Sequence, residues 1–248
     1  MRRATFKGLV PPIAHVLLRG GRRYQTWQLA CAAASSYDNE ALNAFKVARS
    51  ALRHVDGSLL TASVLQLTAL ALKKPEIAVT DFGGATGDLG RDFLASWPGA
   101  SYVVVETPAL VAMMQAHGAV RFEPSIPQSC DVFFSSGMLQ YVDRPMQVLA
   151  EGFASAGHAV VLVRNTFCDE AQYHVQRSKL FENGYGPIPR GFRNTTVRYP
   201  HQTIDEESVH ALADRHGFHC VARLDEAIDL QYPGEIYGKQ LVFMKAPS

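Results

Sequence analysis

Ile77-Ala78-Val79-Thr80-Asp81-Phe82-Gly83-Gly84-Ala85-Thr86-Gly87-Asp88-Leu89-Gly90 is the stretch that decides the fold. A short apolar run ends in an acid, turns through clustered glycines and opens into a helical pattern. That order describes a strand-to-helix unit whose turn approaches a nucleotide. Glycines at such a turn can adopt positive φ and carry no Cβ, so backbone amides can pack directly against a ligand. A second apolar run, Tyr102-Val103-Val104-Val105-Glu106, also ends in an acid, nineteen residues after Gly87. A carboxylate at the tip of the second strand is where a ribose diol would be held, because it can accept from both hydroxyls.

Bulk properties narrow the alternatives. A chain of 248 residues has room for one sizeable α/β core with additions, and is short for two full domains. Its 47% apolar content is that of an ordinary globular protein, and 24 basic against 23 acidic residues give no global reason to expect nucleic acid. The four cysteines (Cys31, Cys130, Cys168 and Cys220) are scattered without a CxxC pair, which predicts free thiols in a reducing compartment. No apolar run reaches the roughly 18 residues that span a bilayer. The basic start, with Arg2, Arg3 and Lys7, is interrupted by Pro11-Pro12 and lacks a signal-cleavage pattern, so a cytoplasmic protein is expected. His216 and His219 flank a Gly-Phe turn without companion acids or cysteines, and no metal site is expected.

Outward from the glycine turn, residues 1 to about 25 read as an irregular basic arm. Three helical patterns follow: Trp27 to Ala34, a second capped by Asp38 and running to Leu52, and Leu59 to Leu72, stopped by Pro75. This N-terminal section, residues 1–75, is read as an arm and helical lid, and 76–248 as the main domain. After the turn, helices at Asp88–Trp97, Ala109–Gln115 and Pro145–Ala154 alternate with strands at Val120–Phe122, Asp131–Ser135 and His158–Arg164. The last of these strands is apolar, as a strand buried on both faces should be. About 165–200 is polar, aromatic and rich in glycine and proline, which marks an insertion that is either functional or mobile. Thr203 with Glu206 suggests a capping box for a helix to His216. Two closing strands, Phe218–Leu224 and Lys239–Met244, flank a loop at Tyr232-Pro233-Gly234 and suit antiparallel pairing.

The Asp81-Phe82-Gly83-Gly84 turn, Val105-Glu106-Thr107-Pro108 and Phe134-Ser135-Ser136-Gly137-Met138-Leu139-Gln140-Tyr141 carry a resemblance. Trp27, Tyr37-Asp38, Arg164-Asn165-Thr166-Phe167 and Arg198-Tyr199-Pro200 add to it. From Trp27 onward the chain resembles class I S-adenosylmethionine-dependent methyltransferases, and more narrowly a bacterial family associated with surface-polysaccharide genes. The resemblance implies a Rossmann-like fold with a seven-stranded, mostly parallel sheet, helices on both faces and an N-terminal helical extension. It also implies S-adenosylmethionine as cofactor and a small-molecule acceptor such as a sugar or glycan precursor.

Residue by residue, it places Gly83, Gly84 and Gly87 along the methionine end of the cofactor and Asp81 beneath it, near the amino group. Glu106 would take the ribose diol, Phe122 or Glu123 would border the adenine, and Ser135 and Ser136 would face the sulfonium side. Ala85 departs from the family pattern, which has glycine there. The front helices around Tyr37 would cover the cofactor as a lid.

His174, Tyr199 and His201 are candidates for assisting the acceptor, with His201 and Tyr199 favoured as catalytic. Arg177, Lys179, Arg190, Arg193 and Arg198 make the insertion basic, which suits an anionic substrate. Two other readings stand beside this one. Gly84, Gly87 and Gly90 have the spacing of an NADP-binding short-chain dehydrogenase, although no tyrosine is followed four residues later by lysine. A methyltransferase-like scaffold can also serve as a non-catalytic interaction module.

Overall fold

The computed structural model describes residues 23–35, 39–54, 63–114, 118–227 and 236–246. The N-terminal arm through Arg22, the Asp38 cap, Tyr37, the start of the helix expected from Leu59, Gln115 and the Tyr232 loop lie outside these residues.

The strands are β1 (Arg23–Tyr24), β2 (Ala78–Phe82), β3 (Ser101–Val105), β4 (Arg121–Glu123), β5 (Cys130–Ser136), β6 (Ala156–Phe167), β7 (Tyr173–Lys179), β8 (Thr196–Gln202), β9 (Phe218–Glu226) and β10 (Tyr237–Lys245). The helices are α1 (Trp27–Ala32), α2 (Glu40–Ala51), α3 (Ser63–Leu72), α4 (Asp88–Ser96), α5 (Pro108–Met114), α6 (Pro145–Ser155) and α7 (Glu206–Arg215). Seven strands form one sheet in the order β4-β3-β2-β5-β6-β10-β9. β2 to β6 pair in parallel, and β10 runs antiparallel to both of its neighbours. The order reverses between β2 and β5, so the carboxyl ends of these two strands border the crevice where open α/β sheets bind ligands.

Alternating side chains divide the core between the two faces. Phe134, Val161 and Val163 point to the face covered by α3 and α4, where Leu65, Ala69, Leu89 and Phe93 pack. Phe133, Val160 and Leu162 point to the opposite face, against Leu149 and Phe153 of α6 and Val209 and Leu212 of α7. The buried run Val160–Val163 is therefore central-strand sequence, as expected. Leu65 and Ala69 of α3 share this core with the sheet.

Within residues 165–200 the chain forms regular structure: β6 continues to Phe167, and β7 pairs antiparallel with both β1 and β8 in a second, three-stranded sheet. Two local expectations are corrected. Helix α2 is capped by Asn39, whose side chain accepts from the Leu42 amide at 3.2 Å. Helix α7 is capped by Asp205, which accepts from the Glu207 and Ser208 amides. The Thr203 hydroxyl instead accepts from the Gln172 amide at 2.9 Å and donates to the Glu170 carbonyl, closing the base of the β7–β8 hairpin.

Gly90 lets α4 approach the sheet. A Cβ built there would lie 2.6 Å and 2.7 Å from two ring carbons of Tyr102 and 3.1 Å from Val120. Gly90→Ala is therefore expected to destabilise the protein by about 1–3 kcal/mol through overpacking. A helix-interior glycine without such contacts would gain about 1 kcal/mol from the same change. Urea denaturation decides between them, and a stabilised variant would refute the close approach.

Candidate functional site

β2 delivers Asp81 to the crevice with 1% exposure. Its Oδ2 accepts a hydrogen bond from the Tyr102 hydroxyl at 2.8 Å, while its buried Oδ1 has no hydrogen-bond partner. Burial first, and the Glu106 carboxylate second, push the Asp81 carboxyl up to about 7; the tyrosine opposes them. Gly83 and Gly87 have φ of +78° and +69°, in the left-handed region glycine tolerates. A Cβ on Gly84 would come within 2.4 Å of Asp81 Oδ2, and one on Gly83 within 2.1 Å of Met138 Cγ. Ala85 adopts φ +51° at the position where the family pattern has glycine, a conformation that costs an L-residue roughly 1–2 kcal/mol.

Glu106, 8% exposed, holds this turn in place. Its Oε1 accepts from the Ala85 amide at 3.1 Å and its Oε2 from the Thr107 amide at 3.0 Å.

The crevice opens into a cavity of about 660 Å³, a size typical of ligand sites. Asp81, Gly83, Gly84, Ala85, Ser136 and Tyr199, all singled out from the sequence, lie on its wall. Gly87, Glu106 and Phe122 do not line it. Phe122 stands behind the glycine turn, its ring 2.9 Å from where a Gly87 Cβ would be. Ser135 is fully buried and donates to the Phe82 carbonyl at 3.2 Å, tying the ends of β5 and β2 together.

His201 also lies behind the wall rather than in it. It is fully buried, its Nε2 is 3.3 Å from Thr166 Oγ1, and it pairs across β7–β8 with His174. Burial, reinforced by His174, lowers its pKa to about 3, so it stays neutral and holds a proton weakly. Tyr199 faces the cavity and donates to Ser178 Oγ at 3.1 Å, its ring 5.2 Å from that of Tyr141.

The sequence reading did not assign site roles to Lys46, Gln140, Tyr141, Arg164, Thr166 and Gln176, which also line the cavity. Gln140-Tyr141 and Arg164-Asn165-Thr166 lay inside stretches already quoted for the resemblance. Lys46 had one signal: it follows Leu42 and precedes Ser50 by four residues, so it shares their buried helical face. Of the basic residues expected to meet substrate, only Arg177 lines the cavity. Arg198 instead donates to the Ala33 carbonyl at 2.8 Å, and Lys179 to Thr196 Oγ1 at 3.0 Å.

Helix α2, whose Lys46 lines the cavity, is tied down by two sets of polar contacts. Ser50 Oγ donates to Asp88 Oδ1 at 3.0 Å and Arg53 pairs with Asp92 at 2.6 Å, fixing this segment to the start of α4. Arg49 donates to the carbonyls of Phe181, Asn183 and Gly186 at 2.8–2.9 Å, fixing it to the segment between β7 and β8. Among the described residues, no cluster of three or more His, Cys, Asp or Glu could hold a metal ion, and no helix is long and apolar enough to cross a membrane.

No protein-family model matches the sequence, and no curated protein does. Among solved structures, the CcbJ methyltransferase of Streptomyces caelestis matches with a TM-score of 0.50 and 14% identity, over 84% of this chain and 100% of that one. CalS10 of Micromonospora echinaspora, an amino pentose methyltransferase solved with S-adenosylmethionine, matches with a TM-score of 0.50 and 13% identity, over 75% and 90%. An S-adenosylmethionine-dependent methyltransferase of Methanosarcina mazei matches with a TM-score of 0.50 and 11% identity, over 75% and 98%. At these identities the likeness is one of fold. The chain has the Rossmann-like fold of class I methyltransferases.

His201 makes the fold acid-sensitive in a defined window. Its pKa falls from 6.5 to about 3, so the stability gained from the buried neutral ring is present above pH 6.5 and lost as pH falls toward 3. The loss is at most ~1.4 kcal/mol per pH unit. Asp81 acts oppositely: its raised pKa favours the fold at low pH, and that contribution is lost as pH rises toward 7. His201→Gln is expected to flatten the acid side of the stability profile below pH 6.5, measured by urea melts across the window. An unchanged slope would show that His201 is not held neutral.

Proposed function

We propose that the chain is an S-adenosylmethionine-dependent methyltransferase acting on a small, hydroxyl-rich acceptor, a sugar or glycan precursor. The observation that carries this reading is the unpartnered Oδ1 of Asp81, a buried acceptor in a cavity wall beneath a turn with no room for a side chain at Gly83 or Gly84. A buried acceptor without a partner is costly, and a ligand ammonium would satisfy both its hydrogen-bonding capacity and its charge. The dehydrogenase reading fits less well. The pyrophosphate of a dinucleotide at this turn would face Asp81 and Glu106, acids against anion, and the antiparallel β10 departs from a parallel dinucleotide sheet.

S-adenosylmethionine, when bound, supplies an electrophilic methyl group on a cationic sulfur. Asp81 would hold its amino group, Glu106 its ribose hydroxyls, and Phe122 would border its base beside Gly87. Gly83, Gly84, Ala85 and Gly87 would present backbone at close range, with Ser136 across the crevice at the end of β5. Ser135 acts through the strand ends it joins. The chain's task is then to align an acceptor and exclude water. Tyr141 and Tyr199 give the acceptor an aromatic wall, while Gln176 and Ser178 add the amide and hydroxyl groups that suit a sugar. His201 is a positioning residue that acts through Thr166, since a ring with a pKa near 3 is a poor general base. Four free cysteines, two of them buried, agree with a reducing, cytoplasmic setting.

Calorimetric titration with S-adenosylhomocysteine and, separately, NADPH tests this function. Micromolar binding of S-adenosylhomocysteine is expected, weakened at least about tenfold in Asp81→Asn and Glu106→Ala, each of which removes a charge-assisted hydrogen bond. Binding of NADPH alone would overturn the reading. Asp81 adds a pH signature. With its pKa near 7 in the free protein, ammonium binding draws the carboxyl to its ionised form and releases up to one proton below pH 7, fading above it. Affinity therefore rises with pH up to about 7 and then levels. Titrations in buffers of different ionisation enthalpy read the proton directly, and Asp81→Asn should abolish its release.

A further inference from the structure

The cavity's polar groups divide by sign when their partners are assigned. On the buried side, beside the Lys46 ammonium, two acceptors have no partner. Asp81 Oδ1 is unpartnered, and so is Gln140 Oε1, whose amide nitrogen donates to the Arg164 carbonyl at 3.1 Å. The acids elsewhere on the wall are engaged by the protein. Both oxygens of Asp88 accept, from Ser50 and from Thr86. Glu226 accepts from the Arg164 amide and from Gln240, and Glu182 accepts from the Lys179 amide at 2.8 Å.

On the exposed side, donors are in surplus. Arg177, on β7, is exposed and lines the cavity, and its guanidinium makes no hydrogen bond or ion pair with any described residue. The exposed Arg164 guanidinium reaches only the Tyr185 hydroxyl, at 3.5 Å, among the described residues. Arg164 also sits where the β6–β10 register slips between Lys239 and Leu241, with φ of +57°. Bulges of this kind commonly re-aim a side chain beside a site. A left-handed backbone at a non-glycine residue is uncommon, and such strain clusters where ligands bind.

We propose that Arg164 and Arg177 form an anion subsite at the open side of the cavity. The acceptor is then a small molecule carrying a phosphate or carboxylate, together with a hydroxyl or amine that donates to Gln140 Oε1. The identification of this ligand as the methyl acceptor rests on the function proposed above; the subsite itself rests on the arginines. Guanidinium suits both anions because its planar fork can donate two parallel hydrogen bonds to either. The three groups differ in role: Gln140 is fixed and buried and orients the reacting end, whereas the arginines hold the far end in water-exposed surroundings.

Calorimetry on protein saturated with S-adenosylhomocysteine tests the subsite, using glucose 1-phosphate, glucuronate and uncharged glucose as probes. At least one charged sugar is expected to bind with millimolar or better affinity and at least about tenfold more tightly than glucose, an effect that shrinks as salt is raised. Preference between the two charged probes separates phosphate from carboxylate. Arg177→Gln should abolish that discrimination and Arg177→Lys restore part of it, while S-adenosylhomocysteine affinity stays unchanged. Because Arg177 is exposed, both variants should fold, and thermal melts confirm it. Equal binding of all three sugars, no binding of any, or discrimination that survives Arg177→Gln would overturn the subsite while leaving the methyltransferase reading intact. If S-adenosylhomocysteine itself does not bind, the cofactor reading fails, and the same sugar titration on free protein still judges the arginine pair.

Discussion

A single hydrogen bond from the Tyr102 hydroxyl to the Asp81 carboxylate, in surroundings that exclude water, is the constraint around which the site is arranged. It fixes one oxygen of the acid and leaves the other facing the cavity. Gly84 must lack a side chain because that carboxylate occupies the space a Cβ would need, and Gly90 must lack one because the tyrosine ring does. Glu106 lies close enough to raise the Asp81 pKa further while its own oxygens hold the Ala85 and Thr107 amides. Two acids at adjacent strand tips, one starved of donors and one engaged with the turn, make a surface that favours a cationic, hydroxyl-bearing ligand over a phosphate-rich one.

The second sheet and helix α2 complete the enclosure that the main sheet leaves open. β7 and β8 bring Gln176, Arg177, Ser178 and Tyr199 to the cavity, while Phe45 of α2 packs between Phe181 and Phe192, with ring centroids 5.6 Å and 5.3 Å away. The α/β sheet thus supplies the buried floor with Asp81 and, from β6, Arg164, while the added elements supply Tyr199 and Arg177. This division follows from burial. Unpaired guanidinium groups are tolerable only where water reaches them, and unpaired carboxylate oxygens in the interior are tolerable only where a ligand arrives.

Much of this was legible in the chain because the signals were local. The run ending at Asp81, the glycines after it and the spacing to Glu106 depend on neighbours within one βα unit, and the apolar run around Val160–Val163 declares a strand covered on both faces. The β7–β8 hairpin was not legible. Its strands carry histidines, arginines and glutamines in place of an apolar alternation, because one side meets a polar cavity rather than a core. The burial of His201 was not legible for a related reason: Tyr199 and His201, two residues apart on β8, share one strand face and both meet the Tyr141 ring, but only Tyr199 reaches the cavity, while His201 is fully buried beside Thr166. Arg198 looked like a substrate contact and is a structural tie to α1 because its partner, the Ala33 carbonyl, is 165 residues away. Caps shifted by one or two residues, from Asp38 to Asn39 and from Thr203 to Asp205, since adjacent Asp, Asn and Thr residues compete for the same amides.

The three carbonyls that receive Arg49 have a consequence for how the protein is made. They stand 132 to 137 residues further along the chain, so α2 emerges early in synthesis yet cannot complete its contacts until the segment after β7 has followed. Closing so long a loop is slow relative to local helix formation. The parallel strands β2, β3 and β5 can begin to pair while α2 is still undocked, and α2 is tied down only once the segment behind β7 is available. A chain cut short before Gly186 would lack one of the Arg49 partners together with β8, β9 and β10.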